Sequence, residues 1–142
     1  MGTVYAEITL KNVWDEGKAE TGLIKAEDIR TATVTAVVDT GATNLVITEE
    51  LRQKLGLQIK GEKPAQIANG QRVTCQVTDA VEIHWKNRDT VLPAVVVPGA
   101  EVVLLGVIPL EAMDLMVNPT TQELVGAHGD EVEYMIFHHE LC

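Results

Sequence analysis

The sequence predicts an all-β domain with one or two short helices. Most apolar residues fall in alternating segments or in runs rich in Val, Ile and Thr, and both patterns are typical of strands. We expect roughly eight or nine strands over the 142 residues, which is the length of one domain. Turn-forming pairs separate the strands: Asn69-Gly70, Pro98-Gly99 and Asn118-Pro119.

Two strands joined by a loop are predicted for the start of the chain. Residues 4–10 alternate between apolar and polar side chains, which is typical of a half-buried strand. Residues 12–22 contain two glycines and several acids, so we expect a hairpin loop anchored by Trp14. Residues 31–38 are rich in Thr and Val and predict a strand that ends directly before Asp39.

A short helix and a long hairpin are predicted next. Thr48 is suited to cap a helix, and Gly56 is suited to end it after about two turns. Asn69-Gly70 is the strongest hairpin signal in the chain. The strand that follows, residues 71–85, is expected to break near Thr78-Asp79.

The last third of the chain predicts further strands. Residues 91–97 are nearly all apolar, and Pro93 within them indicates an edge strand or a bend. Residues 102–105 predict a buried strand that ends at Gly106. The remaining predicted elements are a short helix over 109–113 and a hairpin with strands at 115–117 and 123–125.

Charge and cysteine content narrow the classes of partner and compartment. The formal net charge of -10 argues against nucleic acid and against an anionic membrane surface, because both attract clustered Lys and Arg. The two cysteines, Cys75 and Cys142, do not form a disulfide framework, and no apolar run reaches the roughly 20 residues of a membrane span. We therefore expect a cytoplasmic protein.

The segment Ala36-Val37-Val38-Asp39-Thr40-Gly41-Ala42 is the main candidate for chemistry. A carboxylate at the end of a buried strand needs partners or a function, because removing it from water is costly. Gly41 permits a tight turn, and the Thr40 hydroxyl can form hydrogen bonds. The alternative is a simple turn in which Asp39 binds its own backbone.

Three segments in order resemble the retropepsin-like family of single-domain aspartic proteases, and more closely its stand-alone bacterial or archaeal members than the viral ones. They are Asp39-Thr40-Gly41-Ala42, the Asn69-Gly70 hairpin, and Val102-Val103-Leu104-Leu105-Gly106. The resemblance implies a closed six-stranded-barrel-like acid protease fold. It places the protease domain at 1–125 and a C-terminal tail at 126–142, with residues 132–137 a candidate strand for a dimer interface.

The resemblance also implies a function for these residues. It makes the protein an aspartic endopeptidase in which two aspartates activate one water, without a metal or an organic cofactor. The chain has one such motif, so the second aspartate comes from another copy in a homodimer. The implied catalytic residues are Asp39, Thr40 and Gly41, and the implied peptide-binding residues are Ala42, Ile67, Ala68, Asn69, Gly70 and Gln71.

The sequence departs from the viral pattern at two places. Val107 follows Gly106 where viral relatives usually carry Arg, and the hairpin has a single glycine, Gly70. Two readings remain open beside the protease. One is a non-catalytic peptide-binding or dimerisation module with this fold, and the other is a monomeric β-barrel in which Asp-Thr-Gly is incidental.

Other reactive side chains favour structural roles. Cys75 alternates with valines and is expected in the core, while Asp79 and Asp89 are expected in turns and His84 at the surface. The tail residues could suggest a metal site, but their spacing fits no structural zinc pattern, so a solvated tail is expected. These residues are His128, His138, His139, Glu140 and Cys142.

Overall fold

The computed structural model describes residues 2–67 and 69–131. The strands within them are β1 (Val4–Asn12), β2 (Thr31–Val38), β3 (Leu45–Ile47), β4 (Ile59–Gln66), β5 (Arg72–Trp85), β6 (Arg88–Val96), β7 (Val103–Leu105), β8 (Leu115–Asn118) and β9 (Glu123–Gly126). The helices within them are α1 (Val13–Glu20), α2 (Glu49–Leu55), α3 (Val107–Ala112) and a 3₁₀ turn at Ala26–Asp28.

Six strands close into a barrel. Their order is β1–β2–β7–β3–β6–β5, and the pairing of β5 with β1, from Thr9 opposite His84 to Asn12 opposite Val81, closes the ring. Strand β4 pairs with β5 outside the ring, and β8 and β9 form a separate hairpin. The all-β prediction and the closed six-stranded barrel are therefore confirmed.

The barrel core consists mainly of aliphatic side chains, as the 4% aromatic content requires. In β1 the alternation predicted from the sequence places Ala6, Ile8 and Leu10 inside. Cys75 is also buried, and burial raises the pKa of its thiol. This makes Cys75 a poor nucleophile, in agreement with its expected core role.

The prediction of a loop at residues 12–22 is wrong, because this segment forms helix α1. The Asn12 side chain accepts a hydrogen bond from the Asp15 N–H and caps the helix, and acidic residues occupy the first turn, where the helix dipole favours them. Gly17 suggested a turn, but helices tolerate glycine at a cost of about 1 kcal/mol. Trp14 lies on this helix with its side chain 63% exposed.

An ion pair fixes α1 to the start of β2. The Asp15 carboxylate accepts hydrogen bonds from the Arg30 backbone N–H, at 2.9 Å, and from the guanidinium, at 2.8 and 3.0 Å. Arg30 lowers the pKa of Asp15 through these bonds. The guanidinium also lies against Gly56, where a Cβ would come within 1.8 Å of Arg30 Nη1. Helix α1, strand β2 and the end of α2 are thereby joined.

Helix α2 begins and ends where the sequence predicts. The Thr48 hydroxyl accepts a hydrogen bond from the Leu51 N–H at 3.1 Å, and Gly56 adopts the left-handed conformation with φ +68°. Leu51 and Leu55 face the core. No helix in residues 2–67 and 69–131 is long and apolar enough to cross a membrane.

Strand β5 is irregular where a break was predicted. Its register with β6 shifts between Val77 and Ala80. The expectation that Asp79 and Asp89 lie in turns is wrong, since Asp79 is buried within β5 and Asp89 lies in β6. Pro93 lies opposite Ala80, and the next backbone N–H, that of Ala94, donates to the Thr78 hydroxyl at 3.0 Å. Strand β6 pairs on both sides, so Pro93 marks this irregularity rather than an edge strand.

Buried Arg88 attaches the terminal hairpin to the barrel. Its guanidinium donates to the backbone carbonyls of Met113, Asp114 and Gly129 at 2.8 to 3.0 Å. The Asp114 carboxylate in turn contacts the His128 ring at 2.6 Å. His128 is exposed, in agreement with the expected solvated tail, although Asp114 holds its ring, while the rest of the proposed tail cluster and residues 132–137 lie outside the described residues.

Candidate active site

Asp39 directly follows strand β2 and is partly exposed. Strand β2 runs parallel to β7, and β7 also pairs antiparallel with β3, the strand that follows the Asp39 loop. Residues 39–44 therefore run from the end of β2, past the end of β7, to the start of β3, which lies on the other side of β7. The topology thus places the predicted catalytic residue in a loop with a fixed strand between its two ends.

Backbone hydrogen bonds hold this loop to the segment that follows β7. The Asp39 N–H donates to the Leu105 carbonyl at 3.0 Å. The N–H groups of residues 106–108 donate in turn to the carbonyls of Asn44, Ala42 and Thr43 at 2.9 to 3.1 Å. Both ends and the middle of the loop are therefore fixed by main-chain contacts, which do not depend on side-chain rotamers.

Gly106 makes this close approach possible. A Cβ at this position would lie 2.5 Å from the Asn44 carbonyl oxygen and 2.7 Å from that of Ala42. These are backbone atoms, which cannot move aside as a flexible side chain can. The close approach of the Asp39 loop therefore requires a glycine directly after β7.

The Asp39 carboxylate has one hydrogen-bond partner among the described residues. Its Oδ1 accepts from the Gly41 N–H at 2.9 Å. A simple turn would contain the same bond, so this contact alone does not separate a catalytic aspartate from a structural one. The second oxygen receives no hydrogen bond within the described part of the chain, and Asp39 is partly exposed at the end of a barrel strand, so this oxygen is open to a further partner.

Thr40 and Ala42 share the loop with Asp39 and Gly41. Thr40 is exposed, and its hydroxyl makes no hydrogen bond within residues 2–67 and 69–131. The Ala42 N–H donates to the Asp39 carbonyl at 3.1 Å and closes the turn. The structure therefore brings four of the predicted site residues together in one rigid turn, with a free hydroxyl at its surface.

The other predicted binding residues form the tip of the β4–β5 hairpin. The Ile67 N–H donates to the Gln71 carbonyl, and the Gly70 N–H donates to the Ile67 carbonyl at 2.9 Å. The Asn69 side chain accepts from the Gln71 N–H, and Gly70 has φ +84°. The hairpin predicted from Asn69-Gly70 is confirmed, but Ala68 lies outside the described residues. No hydrogen bond between described residues joins this tip to the Asp39 loop.

An open cleft of about 1390 Å³ lies beside the loop. Val37, two residues before Asp39, lines it, together with residues 96–103, helix α2 and both strands of the β4–β5 hairpin. Asp39 itself and the three residues after it are not among the described residues that line the cleft. The sequence did not reveal this surface, because it is assembled from segments far apart in the chain.

Metal-binding side chains do not cluster in the described ranges: no group of three or more His, Cys, Asp or Glu residues there could hold an ion. His84 contacts Glu82 on the same face of β5. Glu82 and His84 lie opposite residues 9–11 of β1, at the other end of that strand from the Asp39 loop.

A model of the gag-polyprotein putative aspartyl protease family matches residues 27–112. This is well over half of the chain. The chain belongs to this family. No match was found among curated proteins.

Family membership confirms the resemblance to retropepsin-like aspartic proteases. The matched segment contains the Asp39 loop, the β4–β5 hairpin and Gly106, and it ends in helix α3. It excludes β1 and the β8–β9 hairpin, which are part of the barrel and of its support here. The closer resemblance to stand-alone bacterial or archaeal members stays a prediction.

Proposed function

We propose that the protein is an aspartic endopeptidase whose active site forms between two copies of the chain. One observation carries the proposal: in a member of an aspartyl protease family, the Asp39 loop is held rigidly by main-chain bonds and leaves one carboxylate oxygen unpartnered among the described residues. A rigid scaffold with a free carboxylate suits general acid–base chemistry, because proton transfer depends on exact positioning.

Two carboxylates that share one proton can carry out the hydrolysis. The ionised Asp39 takes a proton from a water as its oxygen attacks the peptide carbonyl carbon, and the protonated Asp39 of the second copy donates to the carbonyl oxygen. The tetrahedral diol then collapses: one hydroxyl gives its proton to the ionised carboxylate, the protonated carboxyl group gives its proton to the amide nitrogen, and the C–N bond breaks. The products are an acid and an amine, and the pair again holds one proton.

The neighbouring loop residues have supporting roles in this proposal. The Gly41 N–H orients Oδ1 of Asp39, and the exposed Thr40 hydroxyl would form hydrogen bonds with the loop of the second copy. Ala42 borders the bound peptide because it lies beside the catalytic turn. The hairpin residues Ile67, Ala68, Asn69, Gly70 and Gln71 would offer backbone groups to an extended substrate, as strands do in β-augmentation.

Replacement of Asp39 by asparagine tests the proposal. The amide oxygen of the new side chain still accepts from the Gly41 N–H, so we expect the free energy of unfolding to change by less than about 1 kcal/mol. Hydrolysis of a diverse peptide pool between about pH 4 and 7 should fall by roughly 10³-fold or more, because the base is lost. Mass spectrometry of the pool measures this loss.

Asp89→Asn is the matched control, since Asp89 is exposed on β6 and lies outside the loop. It should cleave the pool as the wild type does. Equal cleavage by wild type and Asp39→Asn would contradict the proposal. Peptide binding without any hydrolysis by the wild type would instead support the alternative, a non-catalytic peptide-binding or dimerisation module.

A further inference from the structure

We infer that the cleft beside the Asp39 loop binds an extended peptide segment in which aliphatic residues are flanked by lysine or arginine. The inference deepens the proposed peptidase function and rests on it, because it names the class of substrate. It is drawn from the side chains that line the cleft: an apolar floor and unpaired carboxylates at its rim.

The floor of the cleft is apolar and open to solvent. Val37, Val96 and Val103 line it. Two further lining residues are apolar and largely exposed: Tyr5 at 62% and Val102 at 52%. Apolar surface gathered in a concave site gains from being covered. The floor therefore suits the aliphatic side chains of a peptide.

Carboxylates from three different elements surround this floor. Glu50 belongs to α2, Glu62 to β4, and Glu101 to the turn before β7. All three are exposed, and none has a side-chain hydrogen bond or an ion pair within the described part of the chain. Because they come from separate elements, they offer negative charge at more than one place around the cleft.

The cations at the cleft do not balance these acids. Arg52 donates to the Glu49 carboxylate at 2.6 Å and to the Leu57 carbonyl at 2.7 Å, so its charge is already paired. Lys54 is the other cationic residue that lines the cleft among the described residues. The cleft therefore carries a net negative charge, which favours a basic peptide and disfavours an acidic one.

The position of the cleft connects it to the proposed active site. Val37 lies two residues before Asp39, and Glu62, Thr74 and Gln76 come from the hairpin whose tip we assign to substrate binding. A peptide held between the loop and the hairpin would continue into this cleft. In a homodimer the two clefts are related by the two-fold axis, so basic residues are preferred on both sides of the scissile bond.

Binding to the inactive Asp39→Asn protein tests the inference. Three fluorescent peptides share an aliphatic centre and differ only in the flanking residues, which are Lys in the first peptide, Gln in the second and Glu in the third. We expect the Lys peptide to bind best and the Glu peptide worst by fluorescence anisotropy. Adding Glu62→Gln and Glu101→Gln should weaken binding of the Lys peptide by about three- to tenfold and leave binding of the Gln peptide nearly unchanged.

Two further variants separate the cleft from the general charge of the protein. Glu111→Gln with Glu123→Gln removes two exposed carboxylates that do not line the cleft, and it should change binding of the Lys peptide less than twofold. Val102→Ser should weaken all three peptides alike, because it removes apolar contact and no charge. Equal effects of the two glutamate pairs would overturn the inference, as would equal affinity for the three peptides.

Cleavage of the same peptides by the wild-type protein distinguishes this inference from the proposed function. Hydrolysis that requires Asp39 but shows no preference for Lys would overturn only the inference. A cleft-dependent preference for Lys in binding, with no hydrolysis by the wild type, would overturn the peptidase and leave the cleft as a binding site for basic peptides.

Discussion

Gly106 shows how one residue can position a loop, here the one that carries Asp39, through the side chain it lacks. The Asp39 loop approaches it so closely that three backbone atoms lie within 2.8 Å of the place where a Cβ would stand. The N–H of the same residue donates to Asn44, and the next two N–H groups continue the contact. The missing side chain and the backbone N–H of Gly106 therefore both hold the Asp39 loop against the segment that follows β7.

We predict that Gly106→Ala destabilises the protein by about 3 kcal/mol, because the methyl group must displace the loop backbone. Peptidase activity should fall more than stability alone explains, since Asp39 moves with the loop. Denaturant unfolding and peptide cleavage measure the two effects.

Gly17→Ala is the control for this glycine. Its Cβ meets nothing within 4 Å and it lies inside helix α1, so the change should stabilise the protein by about 0.5–1 kcal/mol. A Gly106→Ala protein as stable as the wild type would show that the loop tolerates displacement.

A second residue-scale feature is the acidic pair formed by Glu16 and Glu82. Burial, with the hydrogen bond and the negative charge of Glu82, raises the pKa of Glu16 to about 7. The hydrogen bonds from Glu16 and His84 lower the pKa of Glu82. Lys11 favours the charged form of both carboxylates. The pair therefore holds one proton at mildly acidic pH.

This pair predicts a pH dependence of stability. Folded Glu16 keeps its proton up to about pH 7, whereas the unfolded chain releases it near the ordinary value of 4.5. The stability from Glu16 is therefore complete below about pH 4.5 and is lost as the pH rises through 7. Glu82 has the opposite effect on stability, because its pKa is lowered in the folded protein. The stability that it contributes is lost as the pH falls below the ordinary pKa of a glutamate.

Glu16→Gln should remove the loss of stability at high pH. The variant should be more stable than the wild type at pH 8 by on the order of 1 kcal/mol, since Glu16 is only partly buried, and the difference should shrink toward pH 5. Thermal unfolding across pH 5–8 measures it, with Glu7→Gln at an exposed position of β1 as the control. A difference that does not vary with pH would contradict the assignment.

At the scale of elements, the β4–β5 hairpin and the Asp39 loop are built differently. The loop is fixed to the barrel by main-chain bonds, whereas the hairpin tip is held by contacts within residues 66–71. Strand β4 is also outside the closed ring and pairs only with β5 among the described strands. An element with few contacts to the rest of a domain opens at low free-energy cost, which suits the substrate-binding role that we propose for the tip.

Gly70→Ala tests the role of the tip. Its φ of +84° is costly for alanine, so the variant should lose about 1 kcal/mol of stability, and kcat/KM for peptide cleavage should fall by about tenfold. Gly22→Ala is the matched control for this backbone cost. Gly22 has φ +81°, a Cβ added there would meet no atom within 4 Å, and it lies outside the Asp39 loop and the hairpin tip. Similar activity in both variants would exclude a role of the tip in catalysis.

Helix α1 shows where local sequence signals compete. Gly17 and Gly22 indicated a loop, while Asn12, Asp15 and Glu16 formed a good helix start that the alternating strand before them obscured. The Asp15–Arg30 pair then stabilises the helix through a contact 15 residues away. Distance along the chain made that contact unpredictable from the local pattern.

At the scale of the whole molecule, one Asp-Thr-Gly motif per chain is the central constraint. The proposed chemistry needs two carboxylates, so it needs two chains. Val107 stands where viral relatives usually carry Arg, and we propose the tail at 126–142 as part of the dimer interface. We propose residues 1–125 as the protease domain that this interface would join.

Mixing wild type with Asp39→Asn tests the shared site. With random exchange at equal amounts, half of all dimers are mixed and only a quarter are fully wild type, so activity per wild-type chain should fall to about half. Peptide cleavage after incubation to exchange subunits measures this. Asp89→Asn at the same ratio should have no effect. Unchanged activity per wild-type chain, or a strict monomer in sedimentation that remains active, would contradict a shared site.

The sequence by itself determined the all-β class, the position of Asp39 at the end of a strand, the α2 caps and the hairpin at Asn69-Gly70. These features depend on periodicity and on residues with local conformational preferences. Only the tertiary structure decided the ring order of the strands, the contact of Gly106 with residues 42–44 and the cleft between α2, the hairpin and residues 96–103. These depend on contacts between distant segments, which barrel closure creates and no local pattern records.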